Sequence, residues 1–175
     1  MPACNVIYYV RKIQMTTAEY NQIVEQYANG LYRYILKNIR DSERASDLVQ
    51  DSFEKLWVRS ADIQFSKAKS YLFSIAHNTM IDSLRKEKRQ VVTDVADMPV
   101  IADRSQYSDL KEVLDEGLKK LSEIQRSVVL LRDYEGYSYE EIGQITNLSE
   151  SQVKVYIFRA RLFLKNYIGQ IEHVI

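Results

Sequence analysis

Two helix-start signals stand eleven residues apart near the C-terminal end of this chain. Ser138 with Glu141 and Ser149 with Gln152 both form S-x-x-[E/Q] capping boxes, in which two side chains satisfy orphan backbone donors of a new helix. Starts that close leave room for one short helix and a tight turn, so residues 138–165 read as a helix-turn-helix. With Tyr139 counted first, Gly143 is fifth, Asn147 ninth and Val153 fifteenth. A small fifth residue lets two helix backbones cross closely, Asn at the ninth tolerates a left-handed turn, and Val at the fifteenth fills the crossing. The second helix carries Lys154, Arg159, Arg161 and Lys165 against Glu150, a basic face suited to phosphates. Alone, the pattern also fits an αα-hairpin in some other helical protein. The rest of the chain has to decide.

Charge contributes by its distribution. Lys plus Arg equals Asp plus Glu at 24 each, so bulk charge names no partner. Residues 67–89, however, hold six basic against two acidic side chains, and residues 150–165 four against one. Two separated basic patches on a neutral chain are the pattern of nucleic-acid contact at two places, although either alone fits a solvated helix face.

Five Gly, two Pro and no sustained alternation of apolar and polar residues in 175 positions predict an all-α fold. The expected helices are Thr17–Ile39, opened by a Thr16/Glu19 capping box, then Glu43–Ser60 behind Asp41-Ser42, then Lys67–Lys88. Residues 90–108 lose helical periodicity and hold three Asp against one Arg, which reads as a flexible acidic linker. Beyond it come Asp109–Lys120, Glu123–Arg132 (opened by a Ser122/Gln125 box), Tyr139–Thr146 and Glu150–Ile168. The organisation is two small helical domains, 16–89 and 109–170, the second a four-helix helix-turn-helix domain. Met15 reads as the natural start, with 1–15 an extension ahead of the first helix.

Cys4 is the only cysteine, which excludes a disulfide framework and a thiolate metal site. No apolar run approaches the roughly 20 residues needed to span a bilayer. The short run VIYYV has no small-residue cleavage site behind it, so no signal peptide is expected and the compartment reads as cytoplasmic. His77 and His173 are the only histidines, no Ser or Cys stands with a plausible base, and no phosphate-cradling Gly-rich loop occurs. The chain reads as a non-enzyme with no cofactor, no metal and no small-molecule substrate.

Two more segments carry chemistry. Asp47, Gln50, Asp51 and Glu54 form an acidic and amide ridge on the second helix, opposite the stripe Leu48, Val49, Phe53, Leu56 and Trp57. It is either a solvated face or a docking ridge for a basic helix. The third helix mixes Lys67, Lys69, Arg85 and Lys86 with Tyr71, Phe73, His77 and Asn78. Single-stranded DNA needs a cationic track and planar groups for unstacked bases, and Asn can read a base edge. Tyr71 and Phe73 read first as core; His77 and Asn78, on a polar face, read as contacts.

These segments, in this order, resemble the extracytoplasmic-function (group 4) sigma factors of the bacterial sigma-70 family. The resemblance covers about residues 19–168. DLVQDSFEKLW (Asp47–Trp57) is similar to the helix that binds core polymerase. KSYLFSIAHNTMIDSLRKEKR (Lys69–Arg89) resembles the segment that melts and reads the −10 element. Leu118–Arg161 resembles the region that binds the −35 element as duplex.

The resemblance implies core RNA polymerase and promoter DNA as partners. Asp47, Gln50, Asp51 and Lys55 would dock on polymerase. Lys67, Tyr71, Asn78, Asp82, Arg85 and Lys86 would face the −10 strand, with the 61–66 loop walling a pocket for a flipped base. Ser151, Gln152, Lys154, Val155, Tyr156, Arg159 and Arg161 would face the −35 duplex. It further implies an anti-sigma factor, of the membrane-tethered kind, that masks these surfaces. Where the family commonly has Ser-Arg after Val-Lys, this chain has Val155-Tyr156, so its −35 preference does not follow from better-known members. The alternative is a stand-alone helix-turn-helix regulator binding a palindrome as a dimer; the acidic ridge argues against it, because a repressor has no need of one.

Overall fold

The computed structural model describes residues 15–91 and 110–172. Apart from Met15 and residues 90–91, the expected extension (1–15) and acidic linker (90–108) lie outside the described residues.

The first helix, α1 (Thr17–Ile39), starts where its capping box places it: the Glu19 carboxylate accepts from the Thr16 N–H at 2.7 Å, and the Thr16 hydroxyl accepts from the Glu19 N–H at 3.2 Å. It stops at Arg40, a non-glycine in the left-handed region (φ 62°), whose N–H closes onto the Leu36 carbonyl. Next, α2 (Ser42–Val58) begins on the Asp41 side-chain cap, and a 3₁₀ turn, Ser60–Asp62, leads into α3 (Phe65–Val91). This last helix runs a little beyond Lys67–Lys88 at both ends. The second group comprises α4 (Leu110–Lys120), α5 (Glu123–Asp133), α6 (Tyr139–Thr146) and α7 (Glu150–Glu172). All four expected capping boxes form.

Helices α1, α2 and α3 close around Ile23, Leu31, Ile35, Leu56, Leu72, Phe73 and Met80, all essentially inaccessible to solvent. Each such side chain is worth about 1.5–3 kcal/mol on removal from water. In the second group α5 is central: every residue from Arg126 to Leu131 is buried, which a helix shows only when it is surrounded. Trp57 departs from the expected stripe of α2, being 44% exposed with its ring edge-on to Tyr20 at 4.8 Å.

His77 corrects the sequence reading. It is 4% exposed, its Nδ1 lies 2.9 Å from the Tyr34 hydroxyl, and burial lowers its pKa to about 4. It is a core imidazole, kept neutral by desolvation, and not a nucleic-acid contact.

The turn between α6 and α7 explains its own sequence. Asn147 takes φ 56°, and both its N–H and that of Leu148 return to the Gly143 carbonyl. A Cβ on Gly143 would lie 2.7 Å from the Leu148 carbonyl oxygen. The glycine is therefore required by the backbone of the turn itself, more than by the helix crossing beyond it. Val153, fully buried, fills that crossing as expected.

The two groups of helices also pack on one another. Helix α1 meets α5, and α3 meets α6; Phe73 and Tyr137 touch across this boundary with ring centroids 5.2 Å apart.

Two measurements check these assignments. Ala is favoured over Gly by about 1 kcal/mol inside an ordinary helix. Gly143→Ala is nevertheless expected to lose about 1–3 kcal/mol in denaturant unfolding, through overpacking against the turn; equal or raised stability would show that the turn yields. Between pH 6.5 and about 4 the unfolded chain protonates His77 and the folded chain does not, so stability falls as pH falls through that window. The slope from this one group reaches about 1.4 kcal/mol per pH unit; it should be absent from His77→Gln, so the difference in stability between wild type and variant should change with pH across that window.

Candidate nucleic-acid and partner interfaces

On α2 the side chains facing away from the core are Asp47, Gln50, Asp51 and Glu54, all exposed, opposite buried Leu48, Ser52, Phe53 and Leu56. The i, i+3, i+4, i+7 spacing makes them one ridge. None of its three carboxylates meets a cation among the described residues, so the ridge presents its full negative charge. Lys55 sits beside the ridge, tied back to α3 by a 3.0 Å hydrogen bond to the Thr79 hydroxyl.

At 100° per residue, Lys67, Tyr71, Asn78, Asp82 and Arg85 fall within a stripe about 60° wide along α3, with Lys86 beside it. The structure leaves Lys67, Asn78, Asp82, Arg85 and Lys86 exposed. Tyr71 is half-buried, its hydroxyl accepting from the Arg59 guanidinium at 2.8 Å. Asp82 and Arg85 form a loose pair at 3.8 Å, worth little where both are exposed. Lys69 lies outside the stripe, over the rings of Tyr137 (4.3 Å) and Tyr27 (5.6 Å).

Helix α7 inserts Val153, Ile157, Ala160 and Leu164 into the core and turns the opposite side outward. The centre of that outward side is Ser151, Val155, Phe158 and Leu162, with Lys154, Arg161 and Lys165 along one flank and Gln152 and Arg159 along the other. Phe158 is 67% exposed and was not singled out from sequence; Leu162 was missed in the same way. The signal was present: apolar residues recur at helical spacing on two sides of α7, and only one side can face the core.

The cations of α7 are not equivalent. Lys154 pairs with Glu150 at 2.6 Å, and Arg161 is held by both carboxylate oxygens of Asp133, which also raises its pKa. Arg159 and Lys165 are exposed and meet no carboxylate among the described residues. Gln152 spends its side-chain oxygen on the Ser149 N–H and hydroxyl, leaving its NH₂ free. Tyr156 is half-buried and packs its ring on the core.

Among the described residues there is no cluster of His, Cys, Asp and Glu able to hold a metal ion, and no helix long and apolar enough to cross a membrane.

The sequence model of Sigma-70 region 2 matches residues 23–90, which span most of α1 to α3. That of Sigma-70, region 4 matches residues 111–164, which take in α4 to α7 up to Leu164. The chain is 30% identical over 152 residues to the ECF RNA polymerase sigma factor SigM of Bacillus subtilis, covering 83% of this chain and 92% of that one. It is 31% identical to the RNA polymerase sigma factor YlaC of the same organism, over 82% and 88% of the two chains. Among solved structures it is similar to the sigma factor RpoE of Bartonella quintana, crystallised with the anti-sigma factor NepR, with a TM-score of 0.74 and 26% identity over 86% of this chain and 97% of that one. CnrH, solved with the cytosolic domain of CnrY, shares the fold with a TM-score of 0.63. The chain belongs to the sigma-70 family of RNA polymerase sigma factors, in its extracytoplasmic-function group.

Proposed function

We propose that this sigma factor works through three surfaces, one on each of α2, α3 and α7. The ridge Asp47, Gln50, Asp51 and Glu54, with Lys55 beside it, docks on a basic helical element of core RNA polymerase. The stripe Lys67, Tyr71, Asn78, Asp82 and Arg85, with Lys86, follows the melted −10 strand. A flipped base loses a few kcal/mol of stacking; Asn78 and the 61–66 loop would replace that with hydrogen bonds and contact. Helix α7 enters the major groove of the −35 duplex, with Ser151, Gln152, Lys154, Val155, Tyr156, Arg159 and Arg161 toward bases and phosphates.

The observation that carries this reading is the α3 stripe: cationic, aromatic and amide groups on one exposed face, in a chain that also holds a helix-turn-helix. A repressor reads duplex DNA alone and needs no such track. Residues 16–89 then serve polymerase and the −10 element, 109–170 serve the −35 element, and 90–108 connect them. The work is binding, with no chemical step, carried out in the cytoplasm. RpoE is solved in complex with an anti-sigma factor, and CnrH in complex with the cytosolic domain of CnrY. An anti-sigma factor, membrane-tethered or not, is accordingly the expected regulator here.

Incubation of the chain with core polymerase should yield a stoichiometric complex. Failure to form one, with a shift of palindromic DNA by the chain alone, would favour the dimeric regulator. Within the complex, Asp51→Lys should weaken polymerase binding at least ten-fold without lowering the unfolding midpoint; unchanged binding would reduce the ridge to a solvated face. Arg159→Ala should weaken −35 duplex binding and reduce the slope of log K against log salt by about one, as measured by titration over a salt series.

A further inference from the structure

Helix α2 sends three cations across its seam with α3, and each ends on a different kind of partner. The Arg44 guanidinium meets the Glu87 carboxylate and the Ser83 hydroxyl, both at 3.0 Å. Lys55 donates to the Thr79 hydroxyl at 3.0 Å. At the end of α2 the Arg59 guanidinium donates to the Tyr71 hydroxyl at 2.8 Å. Glu87 offsets the charge of Arg44, whereas a phenol is neutral and leaves Arg59 fully positive. Only one N–H of its guanidinium fork is spent there, so the others stay available to an acceptor. Arg59 is exposed, and no carboxylate forms an ion pair with it among the described residues.

Both ends of this contact are held. Helix α2 stops at Arg59, whose N–H returns to the Leu56 carbonyl at 3.2 Å and whose carbonyl accepts from the Asp62 N–H at 3.0 Å. Buried Ile63 anchors the turn that follows. Tyr71 is half-buried and packs its ring on the core. The bond from residue 59 to residue 71 therefore closes across residues 61–66, the loop read above as the wall of a flipped-base pocket. An untethered exposed arginine samples many rotamers. This one is pre-placed, so it loses less freedom when it meets a ligand.

We infer that Arg59 is a further contact for the melted −10 strand: it takes a backbone phosphate beside the 61–66 loop, and Tyr71 holds its guanidinium in place. This rests on the −10 reading of the α3 stripe. A single strand is held by rings that take its bases and by cations that follow its phosphates. Tyr71 supplies a ring on the stripe, and a base lying against that ring carries its phosphate toward the ring's edge, where Arg59 stands. An arginine fork can meet a phosphate through paired N–H groups, whereas Lys67, one turn before Tyr71, offers a point charge. The strand-binding surface then spans both helices. Helix α3 supplies the ring and the amide of Asn78, and α2 supplies the cation with no carboxylate competing for it.

The test uses the full chain in complex with core polymerase. Its probe is the single-stranded −10 sequence that the wild-type complex enriches from a randomised pool, titrated over a salt series. Arg59→Gln keeps an N–H donor and removes the charge. It should weaken binding roughly ten-fold and flatten the slope of log K against log salt by about 0.7, the share of one phosphate on a single strand. Arg59→Lys keeps the charge, so it should retain the slope while losing several-fold in affinity. Tyr71→Phe keeps the ring and frees the guanidinium, so affinity should fall several-fold with the slope unchanged. Because Arg59 is exposed, both of its variants should keep the wild-type unfolding midpoint and the wild-type affinity for the −35 duplex. An unchanged salt slope in Arg59→Gln overturns the phosphate contact and leaves Arg59 as a brace for Tyr71 alone. Failure of the wild-type complex to enrich any single-stranded sequence strikes the −10 reading itself, and the Arg59 contact with it.

Discussion

The guanidinium of Arg126 organises the second half of the molecule and its seat on the first. It is buried, and beside the coulombic pull of Glu123 what compensates it is backbone. Its four carbonyl acceptors lie at or near the C-terminal ends of α4 and α1, where unpaired carbonyls concentrate the negative end of each helix dipole. Burial, together with the neighbouring Arg40 charge, lowers its pKa to about 10, so it remains protonated at neutral pH. A planar fork of donors suits this task where a lysine ammonium would not, because several carbonyls converge on one plane. With those carbonyls satisfied, α4 can stop at Lys120 and turn directly into the Ser122 cap of α5. Helix α5 then forms the wall on which α6 and α7 stand, so the position of α7 is inherited from a side chain far from its exposed side.

What the sequence revealed and what it hid divide along a physical line. Helix starts governed by local hydrogen bonds were legible: α1 and α6 have the expected limits because Thr16/Glu19 and Ser138/Glu141 close within three residues of themselves. Helix α3 has no such box, and its observed start, Phe65, lies two residues ahead of the expected one. His77 was misplaced because its partner is Tyr34, 43 residues away, and because one step along a helix turns a side chain by about 100°. Asn78, its neighbour, faces solvent as expected. The boundary between the halves was invisible for the same reason: Lys37 and Asp115 are 78 residues apart, and each fits a solvated helix face until the fold brings them together.

The candidate site shows the same division in its charges. The α2 ridge was legible as a ridge, since spacing alone puts Asp47, Gln50, Asp51 and Glu54 on one face. The basic face of α7 was legible as a count and misleading as a sum. Lys154 and Arg161 already spend much of their charge on Glu150 and Asp133, and a phosphate has to compete with those carboxylates. Arg159 and Lys165 meet no such competitor among the described residues, so on the reading proposed above the salt-dependent part of duplex binding would fall mainly on them.

Helix α7 therefore has an unusual division of labour. A side chain such as Phe158 gains nothing for folding by standing in water, where burial would contribute about 1.5–3 kcal/mol. Val155, Phe158 and Leu162 nonetheless share the outermost line of the helix, 45%, 67% and 48% exposed. An apolar line between cationic flanks suits a surface that meets thymine methyl groups at its centre and phosphates at its edges. The Ser-Arg pair common in the family would place a polar and a cationic group where this chain has Val155 and Tyr156, and Tyr156 is drawn toward the core. On the reading proposed above, discrimination at the −35 element rests here on methyl contacts along 155–158–162 and on the free amide of Gln152. Bidentate recognition of guanine by arginine would have little part in it, because the nearest free guanidinium, Arg159, sits on the flank.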